Sequence, residues 1–252
     1  MCARKIAVRR RAELLVATNR HNESGGVCGL LTCTVPHAAS DRCGEVLDRL
    51  QRLFQRLNSG KAAKLFRQKF AVVGQDRALE FTKGLNGWHP HVHSLVFCEC
   101  PVKWAEVGDA LWARWASAAL KEYGWELPRL AIDMRGGNAA GDYVAKWGLE
   151  FEVVGSSFKA ARGDSATPFG LLGQYSDGNK QAGESWVEYA TAVSRMGEER
   201  IESTRQLVWS RGLKGHFRID DLSDEQIAEA QEEPAVLLGS LSFEQWLKVL
   251  GQ

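Results

Sequence analysis

The chain has 252 residues, enough for one large or two small domains, with 44% hydrophobic and 25% charged residues and a formal net charge of +1. That is the composition of an ordinary globular protein. No run of about 18 apolar residues spans a bilayer, and no charged-then-apolar-then-small opening marks a signal peptide, so the sequence predicts a cytoplasmic protein with no membrane partner. The near-neutral sum does not announce a nucleic-acid binder, but the charges are unevenly placed. Arg4, Lys5, Arg9, Arg10 and Arg11 open the chain, and Asp220, Asp221, Asp224, Glu225, Glu229, Glu232 and Glu233 crowd near its end. Each cluster reads either as a face for a charged partner or as a solvated helix face. Of the six cysteines, none forms a Cys-x-x-Cys pair, and Cys98-Glu-Cys100 has no second pair at zinc spacing, so all six are predicted to be reduced thiols.

Residues 3–20 read as a basic helix with a weak apolar face (Val8, Leu14, Leu15, Ala17), lying along DNA or packed on the domain. Gly29 to Val35 is predicted as a strand with Thr32 and Thr34 on one face and Leu31, Cys33 and Val35 on the other; Pro36 ends it. A helix capped by Ser40 runs to Asn58, with Leu47, Leu50, Phe54 and Leu57 at three- and four-residue spacing. Residues 61–76 pass from a short helix into a strand at Phe70 to Val73.

Residues 77–98 read as a β-hairpin that brings chemistry with it. Ala78 to Thr82 and Leu95 to Phe97 are strand-like, and Asn86-Gly87 is a hairpin-turn signal. His89, His91 and His93 fall within Trp88-His-Pro-His-Val-His93. Alternation along a strand points His91 and His93 the same way. With Asn86 and Gly87 as the two central turn residues, Leu85 faces Trp88, Thr82 faces His91 and Glu80 faces His93, which puts Glu80 on the histidine face. A one-residue change in loop length would turn it away. Two imidazoles and one carboxylate suit a divalent cation with open positions, a catalytic rather than structural arrangement; the alternative is an amphipathic strand with surface or core histidines. His89 shares the parity of His91, but Pro90 distorts the strand, and a supporting role is expected for it.

Beyond the hairpin, Pro101 opens a helix to about Tyr123 with a stripe of Trp104, Leu111, Trp112, Trp115 and Leu120, ended by Gly124. Pro128 to Met134 is predicted as a strand. A helix from about Asn138 places Tyr143 and Lys146 on one face; Tyr143 alone would read as a half-buried helix tyrosine. After Gly155 comes a polar loop to Pro168, then helices at Pro168 to Tyr175, Gly183 to Arg195, Ser223 to Glu232 and within Gly239 to Gly251. The order predicts an α+β fold, an antiparallel sheet flanked by helices, over residues 1–155, with a helical extension over 156–252 that packs on the same domain or stands apart.

The residues also carry a resemblance. Leu31-Thr-Cys-Thr-Val35, Gly87-Trp-His-Pro-His-Val-His93 and Tyr143-Val-Ala-Lys146 follow one another in the order found in the rolling-circle plasmid replication initiators (Rep proteins) of the HUH endonuclease superfamily, in the subgroup with one catalytic tyrosine. The chain is similar to these along nearly its whole length: Thr167-Pro-Phe-Gly-Leu-Leu172, Trp186-Val-Glu-Tyr-Ala190 and Gln206-Leu-Val-Trp-Ser-Arg-Gly-Leu213 resemble segments of the same initiators. Two departures stand out. Members often begin with a Cys-Pro-x-Cys-like run before a basic helix, where this sequence has Met1 and Cys2, as if a zinc module had been lost. Some relatives carry a glutamate one turn before the tyrosine, which ends replication; Ala139 occupies that position here.

The resemblance implies an HUH-type nicking and joining enzyme. Glu80, His91 and His93 would hold Mg²⁺ or Mn²⁺ as a Lewis acid, Tyr143 would be the nucleophile giving a 5′-phosphotyrosine and a free 3′-OH, and Lys146 would stabilise charge on the phosphate or favour the tyrosinate. The implied partners are single-stranded or extruded plasmid origin DNA and a host replication helicase. Arg9, Arg10 and Arg11 are candidate DNA contacts, and Trp88 is a candidate stacking residue or else a core tryptophan. The competing readings are a transposase or relaxase on the same fold, a non-catalytic origin-binding protein, and a metal-dependent hydrolase acting on something other than DNA.

Overall fold

The computed structural model describes residues 2–137, 165–195 and 207–230. Tyr143 and Lys146, the helix expected from Asn138 and the terminal helix expected within 239–251 lie outside the described residues.

Helix α1 (Cys2–Glu23) leads into strand β1 (Val27–Cys33), followed by α2 (Cys43–Asn58) and α3 (Gly60–Lys69). The hairpin strands β2 (Val72–Gly84) and β3 (Gly87–Cys98) come next, then α4 (Trp104–Tyr123) and β4 (Ile132–Gly136). The C-terminal part supplies α5 (Pro168–Ser176), α6 (Lys180–Arg195), β5 (Leu207–Trp209), α7 (Leu213–His216) and α8 (Asp224–Glu229). The five strands form one antiparallel sheet in the order β4-β1-β3-β2-β5. Helices flank it, as the α+β reading expects. None of the described helices is long and apolar enough to cross a membrane.

Period-2 alternation assigns the sheet's two faces to two cores. Leu31, Cys33, Leu79, Phe81, Val92 and Val96 point toward α2 and α4 in the larger core, meeting Leu47, Leu50, Phe54, Leu111 and Trp115. Ala78, Leu95 and Phe97 point the other way, against Leu14 and Ala17 of α1 and Leu213 and Phe217 beyond β5. The described residues after 164 contribute to both layers. Strand β5 extends the sheet by pairing Leu207–Trp209 with Asp76–Ala78. From α6, Glu188 Oε1 accepts the Cys43 N–H at 2.8 Å, satisfying a donor at the start of α2 that Arg42 leaves uncapped.

Two expected strands differ. Residues from Val72 to Gly84 are one continuous strand with an irregularity between Val72 and Gly74, where the sequence predicts two pieces. Pairing with β3 carries the poor strand formers Gly74 and Gln75, and pairing with β5 carries Asp76. Before β4, Arg129–Ala131 is a 3-10 turn closed by the Ala131 N–H to the Pro128 carbonyl, and Leu130 is 81% exposed rather than part of an alternating strand.

Asp76 gives the fold a pH dependence. Its Oδ1 accepts the Leu95 N–H at 2.7 Å, while buried Oδ2 has no hydrogen-bond partner. Burial, opposed by that hydrogen bond, pushes the carboxyl up to about 8. The unfolded carboxyl titrates near 4, so the stability tied to the neutral acid is complete below about pH 4 and is lost as pH rises through about 8. Asp76→Asn keeps an acceptor for Leu95 and removes the ionisation. In urea titrations it should gain on the wild type from pH 5 to pH 8, by at least about 1 kcal/mol at pH 8. A variant that shows no such gain contradicts this account.

Candidate metal centre

The face of β3 that packs α1 at Leu95 and Phe97 continues past the helix as His93, His91 and His89. The same face of β2 passes from Ala78 to Glu80. Strand alternation thus places four polar side chains in one row where the apolar cover ends.

The hairpin turn fixes which of them meet. Leu85 and Asn86 form the turn, and Gly84 pairs with Gly87. Positive φ falls on Gly87 (+88°) and not on Asn86, so Asn-Gly does not form the mirror-image turn the sequence predicts. A side chain at Gly87 would also meet the Ala38 carbonyl oxygen at 2.8 Å. The expected register is therefore corrected: Thr82 faces His89, Glu80 faces His91 and Ala78 faces His93. Both strands shift together, so parity survives, and Glu80 stays on the histidine face.

Glu80 Oε2 lies 2.8 Å from His93 Nε2 and 3.2 Å from His91 Nε2. Ligand atoms of the three residues all fall within 4.8 Å of one another. Neighbours orient both rings. His91 Nδ1 sits 3.3 Å from the His89 carbonyl, which can only accept, so Nδ1 carries a proton and Nε2 is the atom turned to Glu80. His93 Nδ1 lies 3.0 Å from Thr32 Oγ1 across the β1–β3 ladder, and a proton donated there likewise leaves Nε2 as the ligand atom. Burial on its own would push the Glu80 carboxyl up; hydrogen bonds and charge from His91 and His93 outweigh it and hold the carboxyl well below the usual range. An ionised carboxylate facing two Nε2 atoms, whose protons a cation would displace, is a donor set that fits a divalent cation.

His89 stands outside this trio. Its Nδ1 is 2.8 Å from Nε2 of His37, whose Nδ1 is 3.0 Å from the Asn86 carbonyl. The carbonyl must accept, so His37 carries its proton on Nδ1 and accepts from His89. Burial first, then His91 and His37, push the His89 imidazole down to about 4, which leaves it neutral at physiological pH. Sequence reasoning missed both His37 and the role of Thr32. The signal for Thr32 was there, since alternation puts it on the face of β1 opposite Leu31 and Cys33.

Two of the candidate DNA contacts are buried. Trp88 is 1% exposed, stacks with Tyr189, and donates Nε1–H to Glu188 Oε2 at 2.8 Å, so its ring is built into the core and closed to a base. Arg10 is 3% exposed and forks onto both Glu13 oxygens (2.9 and 3.0 Å) and onto Asp224 Oδ1 (2.6 Å), tying α1 to α8. The basic opening and the acidic end are in part each other's partners, as Arg9–Asp220 (3.7 Å) also shows. Arg9 is exposed and Arg11 half-buried. Trp88→Phe should cost about 1–3 kcal/mol in urea unfolding, because it opens space and leaves Glu188 short of a donor. Unchanged stability would show that the Trp88–Glu188 contact contributes nothing.

No family model matches the chain, and no solved structure matches it. Among curated proteins it is similar to "Protein rep" of Streptomyces lividans, at 28% identity over 295 aligned residues covering 88% of this chain and 64% of that protein. It is also similar to "Neomycin resistance protein" of Streptomyces cyanogenus, at 29% identity over 121 residues, 38% of this chain and 28% of that one. The chain thus spans less than two thirds of the length of either relative.

Proposed function

We propose that the chain is a plasmid rolling-circle replication initiator of the HUH type that nicks one DNA strand by metal-assisted tyrosine attack. The observation that carries this reading is the convergence of Glu80, His91 and His93, with one carboxylate oxygen within 3.2 Å of both Nε2 atoms. Similarity to a protein named "Protein rep" over 88% of the chain supports the replication context.

Glu80, His91 and His93 would hold Mg²⁺ or Mn²⁺, and the bound cation supplies Lewis-acid polarisation of the scissile phosphate. Thr32 and the His89 carbonyl keep the two imidazoles oriented, so the donors are set before substrate arrives. Tyr143 is the nucleophile in this reading. Its oxygen forms a bond to phosphorus, the bond to the 3′ oxygen breaks, and the phenolic proton ends on the leaving 3′-OH. Lys146, three residues on, would offset charge on the phosphate or favour the tyrosinate. A covalent intermediate keeps the phosphodiester energy for rejoining, and the 3′-OH primes synthesis.

The test is incubation of the full chain with single-stranded oligonucleotides tiling the DNA that flanks its gene, with Mn²⁺, Mg²⁺ or chelator. Cleavage at a defined position that requires metal and leaves an extendable 3′-OH is the expected result. Binding without cleavage under every metal condition would favour an origin-binding protein instead.

A further inference from the structure

A second feature lies toward the end of β2 remote from the hairpin turn. The C-terminal end of α2, α3, the first residues of β2, α4 and the end of β5 enclose a cleft of about 690 Å³. Four arginines line it: Arg67, Arg77, Arg114 and Arg211. Arg114 is fixed in place, donating Nη2–H to the Leu57 carbonyl with its guanidinium 5.2 Å from the Phe66 ring centre. Arg67 reaches the adjacent Asn58 carbonyl at 3.4 Å. Among the described residues, no carboxylate forms an ion pair with Arg67, Arg114 or Arg211; the nearby Glu122 pairs with Arg56 instead. Among the described residues the one acid in the lining is Asp76, whose burial favours its neutral form.

Clustered guanidiniums without counter-charges repel one another, and an anion bridging them removes that cost. Burial and the proximity of Arg67 both disfavour the charged form of Arg114, in keeping with that strain. The cleft is far larger than a bare phosphate needs and falls within the roughly 300–1,000 Å³ of small-molecule sites. Trp209 lines its edge, with its ring stacked on Phe97 of the second core.

We propose that this cleft binds a nucleotide, with Arg67, Arg114 and Arg211 clamping the phosphate and the rest of the cleft, beside Phe54 and Phe66, taking the sugar and base. The nucleotide is either free or a unit of a single strand. The site needs neither the metal triad nor Tyr143, so it stands or falls apart from the nicking reading.

Fluorescence anisotropy of the full chain in EDTA tests this with two probes, a labelled 12-mer of thymidylate and N-methylanthraniloyl-ATP. Arg67 and Arg211 are exposed, so Arg67→Gln/Arg211→Gln leaves the fold intact. At least one probe should bind the double variant about tenfold or more weakly than wild type, and Glu80→Ala should bind like wild type. Loss for both probes assigns a mononucleotide site, and loss for the 12-mer alone assigns a strand contact. The proposal is overturned if neither probe binds the wild-type chain, or if the double variant binds both as well as wild type does.

Discussion

Glu80→Ala is expected to abolish metal-supported strand cleavage, lowering its rate by about three orders of magnitude. Glu80 supplies the only carboxylate of the trio, and its Oε2 is the atom that faces both imidazoles, at 2.8 and 3.2 Å. Without it two neutral nitrogens remain, a poor set for Mg²⁺ or Mn²⁺, which favour charged oxygen. Glu80→Gln tests charge separately from shape: it should bind metal almost as weakly, and raised Mn²⁺ should recover part of its cleavage. Manganese titration followed by electron paramagnetic resonance, run beside the cleavage assay, reads both quantities. Full activity in Glu80→Ala would remove Glu80 from the ligand set. The pH dependence of metal binding follows with its sign. The depressed Glu80 carboxyl stays ionised well into acid, so mild acidification does not remove its charge from the metal's donors, and affinity lost there is not lost through Glu80.

Tyr143→Phe should eliminate the covalent protein–DNA adduct and reduce cleavage by roughly four orders of magnitude. Phenylalanine keeps the ring and deletes only the oxygen proposed to attack phosphorus. Manganese affinity should therefore match wild type, which separates this variant from the Glu80 variants. Cleavage persisting at a wild-type rate, with water as the nucleophile, would make the protein a metal-dependent hydrolase and Tyr143 a structural residue.

How much was legible in the sequence depended on which physical term was local. Helix α2 was, because Leu47, Leu50, Phe54 and Leu57 repeat at helical spacing and all become buried. The candidate centre was legible through parity alone. Asn86-Gly87 pointed to the wrong pair of turn residues, since only Gly87 takes positive φ, yet moving the turn by one residue shifts both strands together and leaves Glu80 facing the histidines. His37 was not legible, because a loop residue after Pro36 reaches His89 only through the tertiary path of β1 beside the hairpin. The charge clusters misled for the same reason. Arg10 and Asp224 are far apart in sequence, and each looked solvated until the fold placed them 2.6 Å apart. Trp88 beside the histidine motif read as a stacking platform or a core tryptophan, and Lys83, its neighbour across the ladder, with Glu188 of α6 closes over it and makes it the second.

The most direct measurement follows the DNA itself. Oligonucleotides labelled at the 3′ end, incubated with the full chain and Mn²⁺, are resolved on a denaturing protein gel, and the labelled band is digested and mapped by mass spectrometry. The account predicts a metal-dependent band in which the label travels with the protein, attached through a 5′-phosphate to the peptide containing Tyr143. Labelled DNA that is cut but free of protein, or attached to a different residue, would contradict it.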